Sequence, residues 1–375
     1  MAQPCSYFSK CGGCTCRNLP YARQLEQKTA YIQKLLSPFG VKAAPCVGSA
    51  QDACRNKVHL AFAVVDGSVR AGFFDSRTHR VVPVAKCPMH GDWYEQLVAV
   101  AEAWAAQCRI RPYEPKTGKG SLRFVAARYL NGKLMVTVVS QQPKLPGLDK
   151  LHTMLEAQFG PTVLWLNIND RRDSAVFSRN FRHIAGPRKL RGAMLDVSFE
   201  LSPDAFFQVN TEMAEKMYSR ILQLAKEIGP KTVVDAYSGI GITSLLFARA
   251  GMSVTSVEQV PAAVEDAKAM AKYNKLDSRV RALCGDCAKV LPRLKTAGDT
   301  LFFVDPPRRG LGESVCRTIA EFAPRYVLYL SCGPEALAED IRRLQKSGYK
   351  LKLAEPYDLF PHTDHVETIC LLERV

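Results

Sequence analysis

From residue 211 to residue 347, short apolar runs alternate with amphipathic stretches, and this alternation restricts the possible folds strongly. The runs have the length of strands, and the stretches between them carry apolar residues at helical spacing. Repeated strand–helix order implies a doubly wound α/β fold, a parallel sheet with helices on both faces. The predicted helices are 211–227, 243–250, 262–273, 315–322 and 336–347, and the predicted strands are 232–236, 253–258, 280–283, 300–304 and 326–331.

The first 200 residues have a different pattern. After a predicted helix at 19–36, most segments are strand-like, and Asp66-Gly67 and Asn131-Gly132 are typical of two-residue hairpin turns. The predicted strands are 58–65, 69–74, 122–129, 134–140, 163–169 and 195–201, with one helix at 93–107. The sequence therefore predicts an N-terminal α+β domain joined to the α/β domain, and 375 residues suit two domains.

The positive charge is concentrated in the first half of the chain. Residues 1–200 contain 28 Lys and Arg against 14 Asp and Glu, whereas residues 201–375 contain 23 against 22. A basic domain beside a nearly neutral one suggests a polyanion-binding module joined to a chemical module. Basic side chains that could hold RNA phosphates occur at Arg55, Lys57, Arg123, Arg128, Arg171, Arg172 and Arg179.

The sequence contains 13 cysteines but no apolar segment like that of a signal peptide near Met1, so free thiols, metal ligands or catalysis are expected rather than disulfides. No run of 18 apolar residues is present, which argues against a membrane span. We therefore expect a cytoplasmic protein with no membrane association. No obligatory protein partner is implied.

A glycine-containing loop follows the first strand of the α/β region. Asp235 ends that strand, and Gly239 and Gly241 precede the next helix, where glycine lets a ligand approach the backbone. Glu258 ends the following strand and is suited to bind ribose hydroxyls. The pattern alone admits a dinucleotide or a tight turn, but the acidic residue and the two spaced glycines favour S-adenosylmethionine.

Three residues near the predicted strand ends supply a covalent chemistry. Cys332 closes an apolar strand, Glu367 precedes another, and Asp305 begins the rigid loop Asp305-Pro306-Pro307-Arg308. Uracil C5 is a weak nucleophile, but a thiolate that adds to C6 makes C5 carbanion-like, and a base can then remove the C5 proton after methylation. A cysteine and a carboxylate at one sheet edge therefore indicate methylation of a pyrimidine ring.

The C-terminal motifs identify a family. Asp305-Pro306-Pro307-Arg308, Ser331-Cys332-Gly333 and Phe360-Pro361-His362-Thr363 with His365 and Glu367 resemble those of the uracil-C5 RNA methyltransferases. The resemblance covers nearly the whole chain and implies a Rossmann-like class I methyltransferase domain that uses S-adenosylmethionine. It makes Cys332 the nucleophile and Glu367 the base. The residues implied as cofactor contacts are Gln208, Tyr237, Glu258 and Asp305. No role is carried over to Ile242, where some relatives have a polar contact.

Four other cysteines form a candidate metal site. Cys5, Cys11 and Cys14 lie in a short N-terminal segment, and Cys87 is a possible fourth ligand, with Cys16 as a spare. This number of thiolates suits zinc or an iron–sulfur cluster. The resemblance to the cluster-containing branch of the family implies a [4Fe–4S] cluster, for which we expect a structural role.

The family resemblance also bears on the RNA and on the domain boundaries. Cluster cysteines without room for a preceding TRAM barrel resemble the members that modify a loop uridine of 23S ribosomal RNA, whereas a tRNA substrate is the alternative. By analogy, residues 1–16 and 49–200 form the iron–sulfur and RNA-recognition domain. Residues 17–48 and 201–375 form the methyltransferase domain.

Other functions fit the sequence less well. A cytosine-C5 methyltransferase would require Pro-Cys after the strand that ends before Asp305, where Pro306-Pro307 stands. An adenine-N6 enzyme would have an aromatic residue in place of Arg308 and would not need Cys332. A non-catalytic iron–sulfur protein that binds RNA or senses redox state is the alternative outside enzymology.

Overall fold

A computed structural model describes residues 5–171, 173–294 and 299–375. The chain forms two compact units, each assembled from several segments. The first unit takes the described part of Met1–Arg17 together with Ala50–Gly192 and Glu200–Val209, and the second takes Asn18–Ser49, Ala193–Phe199 and Asn210–Val375. The chain therefore changes unit several times between residues 192 and 210, where the sequence predicted a single change at residue 200.

The helices and strands are numbered in chain order. The helices are α1 Tyr21–Leu36, α2 Trp93–Gln107, α3 Leu148–Phe159, α4 Thr211–Ile228, α5 Ile242–Arg249, α6 Pro261–Tyr273, α7 Cys287–Val290, α8 Gly312–Phe322 and α9 Pro334–Gln345. The strands are β1 Lys57–Val65, β2 Ser68–Phe74, β3 Val81–Pro83, β4 Leu122–Leu130, β5 Lys133–Ser140, β6 Thr162–Ile168, β7 Phe181–Ala185, β8 Leu190–Met194, β9 Val197–Leu201, β10 Thr232–Ala236, β11 Ser253–Glu258, β12 Val280–Cys284, β13 Thr300–Val304, β14 Tyr326–Ser331, β15 Tyr349–Tyr357 and β16 Glu367–Arg374.

The first unit contains a seven-stranded sheet in the order β3-β2-β1-β4-β5-β6-β7. Both predicted hairpins are confirmed, with Val65 paired to Ser68 and Leu130 to Lys133. Asp66-Gly67 and Asn131-Gly132 have positive φ at both positions, as type I′ turns require. One face of the sheet packs on α2 and α3 in a shared apolar core.

Helix α3 and strand β8 are among the elements that were not predicted. No helix was predicted at α3, yet β5 and β6 are parallel, and a parallel pair needs a crossover connection. Leu148, Leu151 and Leu155 form the buried face of that helix. The strand predicted at 195–201 is confirmed as β9, which begins at Val197. Strand β8 precedes it in a hairpin whose turn includes Leu195 with a positive φ of 45°.

The second unit contains a seven-stranded sheet in the order β12-β11-β10-β13-β14-β16-β15. Strands β10 to β14 are parallel, as predicted, and β16 pairs antiparallel with both β14 and β15. Strand β15 was not predicted. Ile32 and Leu36 of α1 lie in the same core as residues of α8 and α9, so the N-terminal helix is part of this unit.

None of the described helices is both long enough and apolar enough to cross a membrane.

Candidate active site

The carboxyl ends of three parallel strands carry the predicted site residues of the second unit. Ala236 of β10 is paired with Val304 of β13, and Val304 is paired with Tyr329 of β14. Tyr237, Asp305 and Cys332 follow these strands and so lie at one edge of the sheet. This edge is where open α/β sheets bind their ligands.

Strand β16 brings Glu367 to the same edge. Ser331, the last residue of β14, is paired antiparallel with Thr368, so Cys332 and Glu367 flank this pair on neighbouring strands. Cys332 is half-buried, whereas the Glu367 side chain is 5% exposed. A thiol open to a ligand therefore stands beside a buried carboxyl group.

The Arg308 loop packs directly against the Cys332 turn. A Cβ atom at Gly333 would lie 2.3 Å from the carbonyl oxygen of Arg308, so the close approach requires glycine at this position in its present conformation. The Arg308 guanidinium lies 3.0 Å from Nδ1 of His365. Its positive charge lowers the pKa of both Cys332 and Glu367 and so opposes the effects of burial.

Burial dominates the protonation of the carboxyl groups. Desolvation raises the pKa of Glu367 to about 7 and raises the pKa of Asp305 well above its ordinary value, with a further contribution from the Glu367 charge. Desolvation, together with the negative charges of Glu367 and Asp305, raises the pKa of Cys332 to about 11. The site thus holds a thiol beside a carboxyl group that titrates near neutral pH, a value suited to a general base.

Helix α1 anchors the segment that precedes Glu367. Lys28 Nζ donates to Asp358 Oδ1 at 2.5 Å and to the Phe360 carbonyl at 3.3 Å. Tyr21 donates to Asp358 Oδ2 at 2.8 Å. The Lys28 and Asp358 side chains are buried, which makes this an ion pair in a low-dielectric environment.

The two histidines of the C-terminal motif have different surroundings. His362 is buried in a left-handed conformation with φ of 64°, and its backbone N–H donates to Gln24 Oε1 at 3.1 Å. Nε2 of Gln24 also lies 3.1 Å from His362 Nδ1. His365 is exposed beside Arg308.

Sequence reasoning missed this anchoring set. Gln24, Lys28, Ile32 and Leu36 share one buried face of α1 at a spacing of four residues. A glutamine and a lysine in line with apolar core residues are a signal of buried polar partners. The sequence does not indicate that those partners lie more than 300 residues away.

The glycine loop after β10 is held by two carboxylates. Asp235 is fully buried, and its Oδ2 accepts hydrogen bonds from Thr243 at 2.7 Å and Ser244 at 2.5 Å. Glu258 accepts from the backbone N–H groups of Gly239 at 3.0 Å and Val260 at 2.8 Å. Tyr237, which directly follows β10, has a positive φ of 64°.

The same loop has room and polar atoms for a cofactor. A Cβ atom at Gly239 would meet nothing within 4 Å. Oδ1 of Asp235 is buried and has no hydrogen-bond partner among the described residues. A ligand with ammonium or hydroxyl donors fits this environment, which agrees with the chemistry expected for S-adenosylmethionine.

Gln208 is a predicted cofactor contact that lies in the first unit rather than the second. It is buried, and its carbonyl oxygen accepts a hydrogen bond of 2.9 Å from Asn56. Its contact with a cofactor stays a prediction.

The predicted cluster cysteines lie in the first unit and are all partly buried. Burial is the main cause that raises the pKa of Cys11, Cys14 and Cys87, the last to about 11. The charge of Cys5 contributes further to the shifts of Cys11 and Cys14, and the charges of Cys14 and Cys11 contribute to that of Cys87.

The thiol positions do not form a closed metal site. Across the described ranges, no three His, Cys, Asp or Glu side chains converge closely enough to hold a metal ion. The donor type suits an iron–sulfur cluster, but the predicted metal-binding group is not supported by the structure.

Several basic residues predicted to hold RNA phosphates are engaged within the first unit. Arg123 donates to the backbone carbonyls of Asn169 and Arg171, and Arg55 donates to that of Gly13. Arg128 is 3% exposed, whereas Arg179 is exposed. Arg172 lies outside the described residues.

Comparison with known proteins gives both sequence and structural relatives. A family model described as tRNA (Uracil-5-)-methyltransferase matches residues 293–375. An uncharacterized RNA methyltransferase of Halalkalibacterium halodurans is 32% identical over 385 residues, covering 99% of this chain and 83% of the relative. Another uncharacterized RNA methyltransferase, from Caldanaerobacter subterraneus subsp. tengcongensis, is 33% identical over 380 residues, covering 99% of this chain and 84% of the relative.

A solved structure shares the fold. The Pyrococcus abyssi tRNA (uracil-54, C5)-methyltransferase in complex with S-adenosyl-L-homocysteine superposes with a TM-score of 0.82 at 24% identity, over 96% of this chain and 86% of that one. The chain therefore has the predicted fold of an S-adenosylmethionine-dependent methyltransferase.

Proposed function

Since the chain belongs to the RNA uracil-5-methyltransferase family, we propose that it transfers a methyl group from S-adenosylmethionine to C5 of a loop uridine in 23S ribosomal RNA. The observation that carries the proposal is the pairing of Ser331 with Thr368, which sets Cys332 beside Glu367 at the ligand-binding edge of the sheet. The basic first half of the chain supports an RNA substrate.

The proposed reaction uses Cys332 and Glu367 in sequence. Cys332, after loss of its proton, forms a bond from Sγ to uracil C6, and the electron pair of the C5–C6 bond becomes available at C5. The bound cofactor would supply an electrophilic methyl group, to which C5 would bond with its electron pair, while the electron pair of the broken sulfur–methyl bond would stay with the cofactor's sulfur. The carboxylate of Glu367 then accepts the C5 proton, the C5–C6 double bond re-forms, and Sγ leaves C6.

The remaining residues hold this arrangement. Tyr237, Glu258 and Asp305 line the edge at which the cofactor would bind, and Gln208 is proposed as a further contact. Arg308 stabilises negative charge on both Cys332 and Glu367. Thus Arg308 favours the thiolate that attacks and the carboxylate that accepts the proton.

Trapping with 5-fluorouridine RNA tests the covalent step. A base can remove a proton from C5 but cannot remove fluorine, so elimination of the thiol is blocked. We therefore expect the wild-type protein and the cofactor to form a stable protein–RNA adduct. Cys332→Ala should form none, whereas Cys108→Ala, which changes a free cysteine of the first unit, should behave like wild type. Mass spectrometry would locate the adduct. Undiminished methylation by Cys332→Ala would exclude this mechanism.

Mapping of 5-methyluridine tests the RNA substrate. A strain that lacks the gene should lose the modification at a 23S ribosomal RNA position, and the purified protein should restore it in transcripts of that region. Methylation of tRNA transcripts but not of ribosomal RNA would support the tRNA alternative and contradict this part of the proposal.

We propose in addition that Cys5, Cys11, Cys14 and Cys87 bind a [4Fe–4S] cluster with a structural role. The mutual effect of these thiols on their pKa values supports this, as do the neighbouring charges of Arg17 and Arg55, which favour thiolates. Protein purified without oxygen should contain about four iron atoms per chain. Cys87→Ser should lose them and Cys108→Ser should keep them. A colourless protein with stoichiometric zinc would contradict the proposal.

A further inference from the structure

Three basic side chains share one face of the sheet in the first unit. Lys57 of β1 is paired directly with Arg128 of β4, and His59 lies two residues further along β1 on the same face. The alternate residues Val58, Leu60 and Ala127 point to the apolar core on the other face. Like charges directly opposite one another on paired strands are destabilising. This arrangement therefore needs a compensating partner.

The described residues that pair with this group within the sheet carry no negative charge. Within the sheet, Arg128 is paired with Met135 of β5, and Ala126, the partner of His59, is paired with Thr137. In the part of the chain that the structure describes, no ion pair involves Lys57 or Arg128. Burial lowers the pKa of Lys57 to about 8 and that of Arg128 to about 10, and no carboxylate counteracts either shift.

Two polar atoms of this group are buried without a hydrogen bond. Nη1 of Arg128 and Nε2 of His59 have no partner among the described residues. The other guanidinium nitrogen of Arg128 donates to the Ala205 carbonyl at 3.1 Å, which fixes the direction of the side chain. Buried polar groups in folded proteins nearly always have a hydrogen-bond partner, so two neighbouring nitrogen atoms without one indicate a binding site for a ligand.

Aromatic rings limit the access of water to the group. Phe177 contacts His59 edge to face at 5.7 Å, and Phe207 lies 5.5 Å from the Arg128 guanidinium carbon. Lys57 and His59 are only partly buried, so a ligand can reach the group from their side. An oxyanion in such a site would be held strongly because the surroundings are poorly solvated.

We propose that Lys57, His59 and Arg128 form a binding site for one phosphate group of the RNA backbone. Lys57 supplies an ammonium group at the opening, Arg128 supplies a fixed guanidinium donor at the base, and His59 donates from Nε2 in the tautomer that carries a proton there. This inference rests on the proposed RNA substrate. It joins Lys57 and Arg128, which the sequence suggested separately as phosphate contacts, with His59 in one built site.

Salt-dependent RNA binding by the full-length protein tests the site. We would measure the anisotropy of a labelled uridine-loop hairpin over a range of KCl concentrations for wild type, Lys57→Met and Lys57→Arg. Lys57→Met should weaken binding about tenfold, as expected for a lost hydrogen bond to a charged group. It should also reduce the slope of log K against log salt by about 0.7 to 0.9, the value for one phosphate contact. Lys57→Arg should restore most of the RNA affinity and most of the salt slope.

The matched control is Lys133→Met, which changes an exposed lysine of the same unit and should alter neither quantity. Thermal unfolding separates binding from folding. Lys57→Met should melt at or above the wild-type temperature because it removes an unpaired charge that faces Arg128. A slope unchanged in Lys57→Met relative to Lys133→Met would overturn the proposal.

Inorganic phosphate distinguishes the source of the anion. Phosphate should raise the melting temperature of wild type but not of Lys57→Met. That shift combined with an unchanged RNA salt slope would identify a site for a free anion and overturn the RNA assignment. If wild type methylates no RNA yet shows the Lys57-dependent slope, the methylation proposal fails and the phosphate site stands.

Discussion

At the scale of single residues, the arrangement of charge around Cys332 decides what the site can do. The thiol has one buried and one partly buried carboxyl group as neighbours, which disfavour the thiolate, and one arginine, which favours it. The reaction proposed above needs a nucleophile first and a base second. A carboxyl group with a pKa near neutral can accept a proton after the attack without holding a permanent full charge beside the sulfur.

The ionisation of Glu367 predicts a pH dependence. Burial raises its pKa to about 7, and only the ionised form accepts the C5 proton, so the single-turnover rate of proton release should rise as the pH increases through about 7. Release of tritium from RNA labelled at uridine C5, measured from pH 5.5 to pH 9, would test this.

The cation near Glu367 provides a check on this prediction. Arg308→Gln removes the charge that lowers the pKa of Glu367, so the midpoint should move to higher pH. Arg317→Gln, which changes an exposed arginine paired with Glu313 on α8, should leave the midpoint unchanged. A rate independent of pH, or a midpoint near the ordinary value for glutamate, would contradict the assignment of Glu367 as the base.

At the scale of elements, α1 acts on the active site through the segment that leads into β16. Its buried face contributes both apolar core contacts and the polar contacts to Asp358 and His362. Asn210, which caps α4 through Met213 N, also donates to the Leu359 carbonyl at 3.1 Å. Two helices from different parts of the chain thus restrain the turn that precedes Glu367.

The buried pair of Lys28 and Asp358 gives a second prediction. Lys28→Met leaves Asp358 buried with an uncompensated charge, so the free energy of unfolding should fall by about 3–5 kcal/mol. The double variant Lys28→Met with Asp358→Leu should recover much of this loss. Lys34→Met, at an exposed position of the same helix, should have little effect. Denaturant unfolding measures all three.

Activity separates positioning from stability in these variants. Measured at a temperature at which each variant is folded, the double variant should have a reduced kcat with little change in KM, because the turn before Glu367 has lost its restraint. A double variant with wild-type kcat would show that the ion pair serves stability alone.

At the scale of the whole molecule, neither compact unit is a continuous piece of chain. The second unit requires residues 18–49 as well as the C-terminal half, because Ile32 and Leu36 are part of its core. Each such side chain contributes about 1.5–3 kcal/mol through burial. The helix that carries them also carries Lys28.

This organisation predicts the behaviour of fragments. A fragment of residues 201–375 exposes the core face that α1 covers and leaves Asp358 without Lys28, so it should lack a cooperative thermal transition. A fragment in which a short linker joins residues 18–49 to residues 193–375 should unfold in a cooperative thermal transition. Circular dichroism melting compares the two. Wild-type-like melting of the shorter fragment would contradict the integral role of α1.

The local pattern of the sequence was sufficient for most elements. Strands β10, β11, β13 and β14 and helix α2 have the predicted bounds, because buried strands and amphipathic helices are encoded by periodicity within a short window. Helix α3 and strand β15 are among the elements that were missed. Helix α3 is required by the parallel pairing of β5 with β6, and β15 forms through its pairing with β16 at the edge of its sheet. A short window contains neither of these long-range pairings.

The sequence by itself determined the chemistry available to this protein, namely one cysteine and one carboxylate within motifs of a known family, and the order of strands and helices that carries them. Only the tertiary structure decided that β16 enters between β14 and β15 and so sets Glu367 beside Cys332. It also decided that Lys28 meets Asp358 and that Lys57 faces Arg128. The physical reason is that periodicity records which side of an element is buried, whereas the partner across the interface is chosen by the packing of the whole unit.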